Sequence, residues 1–366
     1  MSDGAPDKLR IDFPCDGDIL RNTDGNQDAT GLRIEVTGRC PAGATVRANG
    51  RPATVHDGRF SAALLITTPQ TTVTACTGPS PTDLHDTVRV LWDRNCFKRY
   101  RYSTDDNIWF LQDLHDNEGT YRSLFDNPYL AMWKRLHEAY GTSVQHNLYW
   151  QTEGFNLPML SDKYAAEWRD NAHWLKLAFH ARANDPDLPY QDASYRRIAQ
   201  DFEDIVEEIL RFAGEEVLTG FTTIHWGRAT REACQALRDR GIRGFACPYP
   251  DKWSIRPPIA YYLDDAMIAV AGRRDYWWDT REDLLFTTYD LCCNHHQAAD
   301  FPGLLAARAA DPAHSQLMEV MIHEQYFYPH YVSYLPDYEA RVETCVRWLT
   351  ENGYRSVQYD EGFLGA

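Results

Sequence analysis

Arg101-Tyr-Ser-Thr-Asp105-Asp106-Asn107 is the stretch on which the fold of this chain turns. Upstream, Phe97 to Tyr102 predicts a strand. Downstream, Ile108, Phe110, Leu111 and Leu114 recur at helical spacing. A strand passing directly into a helix is the repeating unit of an α/β fold. The two neighbouring acids at the junction repel each other, so a cation, a metal ion or protonation of one of them must compensate. Such a pair can divide labour, one carboxylate ligating a metal and the other taking protons. The plainer alternative is a helix N-cap, with Asp105 or Asp106 accepting backbone N–H bonds.

The same alternation continues to the C-terminus. Strands are expected at 97–103, 143–149, 175–179, 220–224, 242–246, 284–288, 317–322 and 355–359, with helices at 107–116, 128–140, 160–173, 193–213, 230–240, 303–311 and 335–352. The clearest helix places Ile198, Phe202, Ile205, Val206, Ile209 and Leu210 along one stripe. Gly241 and Gly353 supply plausible helix stops. Tyr261 to Val270 is expected to form a hairpin insertion. Seven or eight strand–helix units fit a (β/α) barrel, regular or irregular, over residues 94–366. An open doubly wound sheet is the alternative, but no Gly-rich phosphate loop follows the first strand.

Residues 1–93 have a different texture. Leu32-Arg-Ile-Glu-Val-Thr alternates apolar and polar side chains, and further short strands are expected at 45–48, 53–55, 60–65, 71–75 and 87–91. Asn49-Gly50 and Asp57-Gly58 are dipeptides that tolerate positive φ in hairpins. A small all-β sandwich follows, with no catalytic cluster in it.

Bulk properties narrow the partners. The net charge of −16, without a basic run, argues against nucleic acid, whose phosphates need clustered Lys and Arg. No apolar stretch approaches the roughly 20 residues of a membrane span. The polar N-terminus lacks a signal segment, so a cytoplasmic protein is expected. The nine cysteines are odd in number and lack paired spacing, which fits free thiols in a reducing compartment. Aromatic residues, among them 11 Trp and 21 Tyr, suit stacking on sugar rings, although core packing is their ordinary use.

The chemistry lies in a positional pattern. Tyr102-Ser-Thr leads into Asp105-Asp106, Leu175-Lys-Leu-Ala-Phe into His180, Phe221-Thr-Thr-Ile into His225, and Val320-Met-Ile into His323-Glu324. In a parallel barrel every strand's C-terminal end opens on one face, so these groups converge whatever their separation in sequence. Two carboxylates and three imidazoles at one mouth make a metal-plus-acid/base constellation. Each histidine taken alone is more often a hydrogen-bonded loop residue.

Ser103-Thr-Asp105-Asp106-Asn107 resembles the Thr-Phe-Asp-Asp-Gly motif of the polysaccharide deacetylases, carbohydrate esterase family 4. Leu177-Ala-Phe-His180-Ala-Arg182 is similar to that family's second motif, and His225-Trp-Gly-Arg228 with the following helix is similar to its third. Met321-Ile-His323-Glu324 stands where the family has a late strand with a general-acid histidine. The resemblance spans about 95–360. It implies Asp105 as general base, Asp106 as ligand of a divalent metal, usually zinc, and His323 as general acid. The family's second motif is His-x-x-x-His, whereas Asn184 follows His180 here, so His225 is the candidate for the missing ligand. Asn107 replaces the usual Gly, and the proline of the third motif is absent. Arg182 or Arg228 is the candidate to keep Asp105 charged. The passage from Gly43 to Phe60 resembles bacterial immunoglobulin-like modules attached to carbohydrate enzymes.

The implied function is a zinc-dependent deacetylase acting on a carbohydrate or related amide. One alternative is a metal-free glycoside hydrolase using Asp105 or Asp106 with Glu324. Another is a carbohydrate-binding protein that keeps the barrel without turnover. Lesser candidates are Cys292-Cys-Asn-His295-His296 as a structural zinc site, Trp150, Trp277-Trp278 and Tyr326-Phe-Tyr328 as sugar platforms, and Glu153, Asp290, Asp360 and Glu361 as cleft acids.

Overall fold

Asn49-Gly50 and Asp57-Gly58 both turn through the left-handed region, with φ of 45° and 77° and of 49° and 70°. Each closes a two-residue hairpin, the first between Arg47–Ala48 and Arg51–Pro52, the second between Thr54–His56 and Arg59–Ile66. The structure, a computed structural model, describes residues 8–80, 82–246, 260–274, 276–359 and 361. Their contacts fall into two units. One takes the described residues up to Phe97 together with Tyr276–Asp283; the other takes those within Lys98–Asp275 and Leu284–Glu361.

The first unit is two five-stranded sheets around one core. Gly31–Arg39 sits centrally in the first sheet, flanked by Arg10–Phe13 and Arg59–Ile66 and carrying Asn26–Asp28. His85–Trp92 and Gln70–Cys76 are central in the second. Leu32, Ile34, Val36 and Phe60 from one sheet join Val73, Ala75, Val88 and Val90 from the other in a single apolar cluster. The alternation in Leu32-Arg-Ile-Glu-Val dictates this, because successive side chains point to opposite faces. The strands Arg10–Phe13, Ile19–Leu20, Asn26–Asp28 and Arg51–Pro52 go beyond those expected, being too short to show an alternating pattern. Tyr276–Asp283 belongs to this unit as well: Trp277 Nε1 donates to Asp16 O at 3.0 Å and Thr280 Oγ1 to Asp16 Oδ2 at 2.5 Å. A Cβ on Gly17, whose φ is +82°, would lie 2.1 Å from Trp278 O, so only glycine permits this approach. Trp277 and Trp278 are therefore buried structural residues, not sugar platforms.

The second unit is mixed α/β with parallel sheets. Its strands are β1 (Arg99–Asn107), β2 (Val144–Tyr149), β3 (Leu175–Ala181), β4 (Phe221–Thr222), β5 (Gly244–Ala246), β6 (Leu284–Thr287), β7 (Leu291–Cys292), β8 (Leu317–His323) and β9 (Arg355–Ser356). One sheet runs β3-β2-β1-β8-β7, with β9 also on β1; β4, β5 and β6 lie in another. Every pairing named here is parallel. Among the described residues the ladders remain separate sheets, and hydrogen bonding does not close them into a ring.

Helices follow the strands as local sequence demands. Asn127 accepts from Leu130 N and precedes Pro128 at the first turn of the helix Pro128–Tyr140, which ends at Gly141 with φ 68°. Ser194 caps the helix Tyr195–Phe212, which buries Ile198, Phe202, Ile205, Ile209 and Phe212. The hairpin expected at Tyr261–Val270 is instead a helix, Asp265–Ala271, because Asp264 accepts from Met267 N as its N-cap.

Candidate metal centre

The strand containing the acid pair does not stop at Tyr102. It continues in register with β8 as far as Asp105, which lies opposite His323. Adjacent strand residues normally face opposite ways. Here Asp106 adopts φ 63°, and the β1–β2 register shifts between Thr104 and Asn107. That irregularity lets both Asp105 and Asp106 line one cavity. Aspartate adopts this left-handed conformation more readily than most side chains.

Neither aspartate caps the helix that follows. The first N–H groups of the helix Trp109–Asp116 bond to Glu324 instead: Ile108 N at 2.7 Å and Trp109 N at 3.1 Å to Oε2, and Phe110 N at 2.6 Å to Oε1. Tyr328 OH adds a fourth bond at 2.9 Å. Glu324 is fully buried and is not among the residues lining the cavity, so it cannot pair with Asp105 or Asp106 across a substrate there. Burial pushes its carboxyl up to about 7 against these donors.

Asp106, His180 and His225 converge. His180 Nε2 lies 3.0 Å and His225 Nδ1 3.2 Å from Asp106 Oδ1, and the two nitrogens are 3.2 Å apart. These are the ligand atoms of a group able to hold a metal ion. The outer nitrogen of each ring is fixed by a backbone carbonyl: His180 Nδ1 donates to Thr223 O at 2.5 Å, and His225 Nε2 donates to Asn184 O at 3.1 Å. As neutral imidazoles both rings turn inward lone pairs toward each other and toward a carboxylate, an arrangement that a cation resolves. The spacing agrees with the edge of about 3.3 Å of a tetrahedron with ligand distances of about 2.0–2.1 Å. Asn184, which stands where a second histidine of the motif was expected, contributes through its main chain.

Without a cation, protons sit between these atoms instead. Burial alone would raise Asp106, yet hydrogen bonds from His180 and His225 hold it well below the usual carboxylate range. Burial would lower His180, but the bond to Asp106 and the charge of Asp105 raise it. Asp105 is pushed up by burial in spite of His180 and His323 nearby and of Asn147 Nδ2, which donates to its Oδ1 at 2.6 Å. Gln145 supports Asn147 in turn, donating to its Oδ1 at 2.8 Å. His323 Nδ1 donates to Asn294 Oδ1 at 3.0 Å.

The cavity holds about 490 Å³. Asp105, Asp106, His180, His225 and His323 line it together with Trp226, Tyr326 and Tyr331. A second cavity of about 550 Å³ shares Asn184, Gln325 and Tyr331 with it and adds Trp109, Tyr149 and Glu153.

Neither of the arginines expected to support Asp105 lines the cavity. Arg182 pairs with Asp204 at 2.7 Å and Asp201 at 3.6 Å, and Trp150 packs against its guanidinium rather than forming a platform. Arg228 is not among the lining residues. Within Cys292-Cys-Asn-His-His, Cys292 and His295 line the cavity, Asn294 carries His323, and the segment holds no metal-ligand cluster among the described residues. Asp290 is tied to Glu319 N and Arg308 outside the cavity. Phe327 and Tyr328 pack around Tyr129, leaving Tyr326 at the cavity. Glu361 accepts from Gln358 N, and Asp360 lies outside the described residues. Tyr149, at the C-terminal end of β2, escaped the sequence reading. The strand-end rule applied to Asp105, His180 and His323 points to it equally.

No protein-family model matches the chain, and no curated protein matches its sequence. Among solved structures it is similar to a 4-α-glucanotransferase from Thermococcus litoralis, at 14% identity and a TM-score of 0.45, over 73% of this chain and 40% of that one. It is also similar to a proposed polysaccharide deacetylase involved in O-antigen biosynthesis from Bordetella bronchiseptica, at 12% identity and 0.32, over 69% and 84%. A β-glucuronidase from Parabacteroides merdae gives 7% and 0.27, over 86% and 46%. The chain thus spans less than half of the glucanotransferase. At this level of superposition the likenesses decide neither the closure of the sheets nor the chemistry.

Proposed function

We propose that the second unit is a metal-dependent hydrolase on a barrel-like frame, removing an acyl group from a carbohydrate or related amide in the manner of a polysaccharide deacetylase. The observation that carries this reading is the convergence of Asp106, His180 and His225 within 3.2 Å, beside Asp105 and His323 on neighbouring strand ends. Zinc suits this mixed nitrogen and oxygen donor set. When bound, a divalent cation supplies a Lewis acid that polarises an acyl carbonyl and acidifies water.

The chain's own groups do the rest. Asp105, held by Asn147, accepts a proton from the attacking water. His323, directly across the ladder, gives a proton to the departing amine or alkoxide, its Nδ1 committed to Asn294 so that Nε2 serves the transfer. Trp226, 40% exposed at the wall beside His225, and Tyr326 and Tyr331 offer ring faces to a sugar. The glycoside-hydrolase alternative loses its second carboxylate, since Glu324 is enclosed by the start of a helix.

Metal analysis of the purified protein with acetate release from acetylated sugars tests the proposal. Stoichiometric zinc that disappears in Asp106→Ala and His180→Ala, together with metal-dependent acetate release, supports it. Turnover unaffected by removal of the metal overturns it.

A further inference from the structure

Tyr149 is placed where a bystander would not be. Its hydroxyl lies 2.5 Å from Asp106 Oδ1 and 2.9 Å from His225 Nδ1, the same two atoms that face the metal position. Its ring packs against both His180 and His225, at 5.2 Å between centroids in each case. The side chain is 1% exposed, and the residue lines the second cavity. His225 Nε2, at 3.2 Å, and Asn184 Oδ1, at 3.4 Å, are also within reach of the hydroxyl. β2 delivers Tyr149 from beside β3, where the register shift between the pairs Leu148–Phe179 and Tyr149–Ala181 leaves His180 between them.

We propose that Tyr149 Oη is a fourth protein donor to the metal held by Asp106, His180 and His225. This rests on the metal site inferred above. Coordination forms a bond between the metal and Tyr149 Oη and breaks the Oη–H bond. The proton leaves to solvent through the second cavity, which Tyr149 lines. A resting site then has four protein donors, and a water or acyl oxygen enters as a fifth ligand, a coordination number that zinc reaches in catalytic sites. The phenol also gives the site a hard anionic oxygen alongside Asp106, which favours trivalent and oxygen-seeking metals more than two imidazoles and one carboxylate would.

Loading the full-length protein with ferric iron tests the assignment, because a phenolate bound to that ion gives a visible charge-transfer band that imidazole and carboxylate ligands do not. The band is expected in the natural sequence, absent from Tyr149→Phe and retained in Tyr289→Phe. Tyr289 is a second buried cavity tyrosine, and its hydroxyl bonds to Thr223 and Ser103. Zinc affinity of Tyr149→Phe, measured by chelator competition, is expected to fall by more than the roughly 10- to 100-fold that loss of a group merely supporting a ligand costs. Iron bound without the band in the natural sequence overturns the tyrosine assignment and leaves the three-residue site standing. Iron and zinc both failing to bind overturns the metal site and the assignment together. A band that persists in Tyr149→Phe overturns the assignment alone.

Discussion

Two strand ends lie side by side in the second unit, and each delivers acid to its buried C-terminal end. β1 ends in Asp105-Asp106, and β8 is followed by Glu324. Around Asp106 the neighbours are two imidazoles, whose outer nitrogens are fixed to carbonyls, and the Tyr149 phenol, all of them groups that offer a lone pair once the shared proton is gone. Around Glu324 the neighbours are three backbone N–H groups and a phenol, so it already has its donors. Position on a parallel strand brings a residue to the face of the site. Only the donors surrounding it decide between chemistry and architecture. The orphan N–H groups of a helix start and the field of its dipole suffice to hold a carboxylate.

The contrast is sharpest under substitution. Asp106→Ala is expected to abolish metal binding and reduce turnover to background, with a melting temperature of the metal-free protein close to that of the natural sequence. Retained stoichiometric zinc would break the assignment. Asp105→Asn keeps the metal and lowers kcat by about 10²–10⁴-fold, the ordinary contribution of a general base. Steady-state kinetics at saturating substrate, read beside metal content, separates the two aspartates.

Glu324→Gln should do the reverse. Metal content is expected to persist while the fold loses about 1–3 kcal/mol, the cost of leaving buried helix N–H groups poorly partnered. Its pH signature has a definite sign. The folded carboxyl sits at about 7 against a usual 4.5, so the folded state binds the proton more tightly. The associated stability is complete below about pH 4.5 and is lost as pH rises through about 7, by at most ~3 kcal/mol. Chemical denaturation across that window should show the slope in the natural sequence and a flatter profile in Glu324→Gln; equal slopes would assign it to another group. The smallest effect is reserved for Asn147→Ala, which removes the bond to Asp105 while leaving every proposed ligand in place. A loss of about tenfold in kcat with unchanged zinc affinity is expected, and a fall in zinc affinity would place Asn147 with the metal instead.

The sequence carried the strand ends well because apolar runs that stop at a polar residue are local signals. Asp105, Asp106, His180, His225 and His323 could each be found that way, and all five line one cavity. The helix cap could not, since Glu324 and Ile108 stand 216 positions apart and nothing local marks their union. The same limit hid the carbonyls of Thr223 and Asn184, because a main-chain acceptor has no residue identity to notice. The hairpin expected near Tyr261 failed for another reason. Asp264 offers its carboxylate to the N–H of Met267, a short-range cap that outweighs the β-like texture around it.

The return of Tyr276–Asp283 to the first unit has a bearing on the gene as much as on the protein. A module carried wholly at one end of a reading frame can be gained, lost or exchanged by one recombination event. This one is written in two places, with most of the α/β unit encoded between them. Asp16 and Gly17 are shaped to receive Trp277, Trp278 and Thr280, so an expression fragment ending at Phe97 would leave that surface bare. A fragment meant to carry the whole of the first unit therefore needs Tyr276–Asp283 as well as the residues up to Phe97.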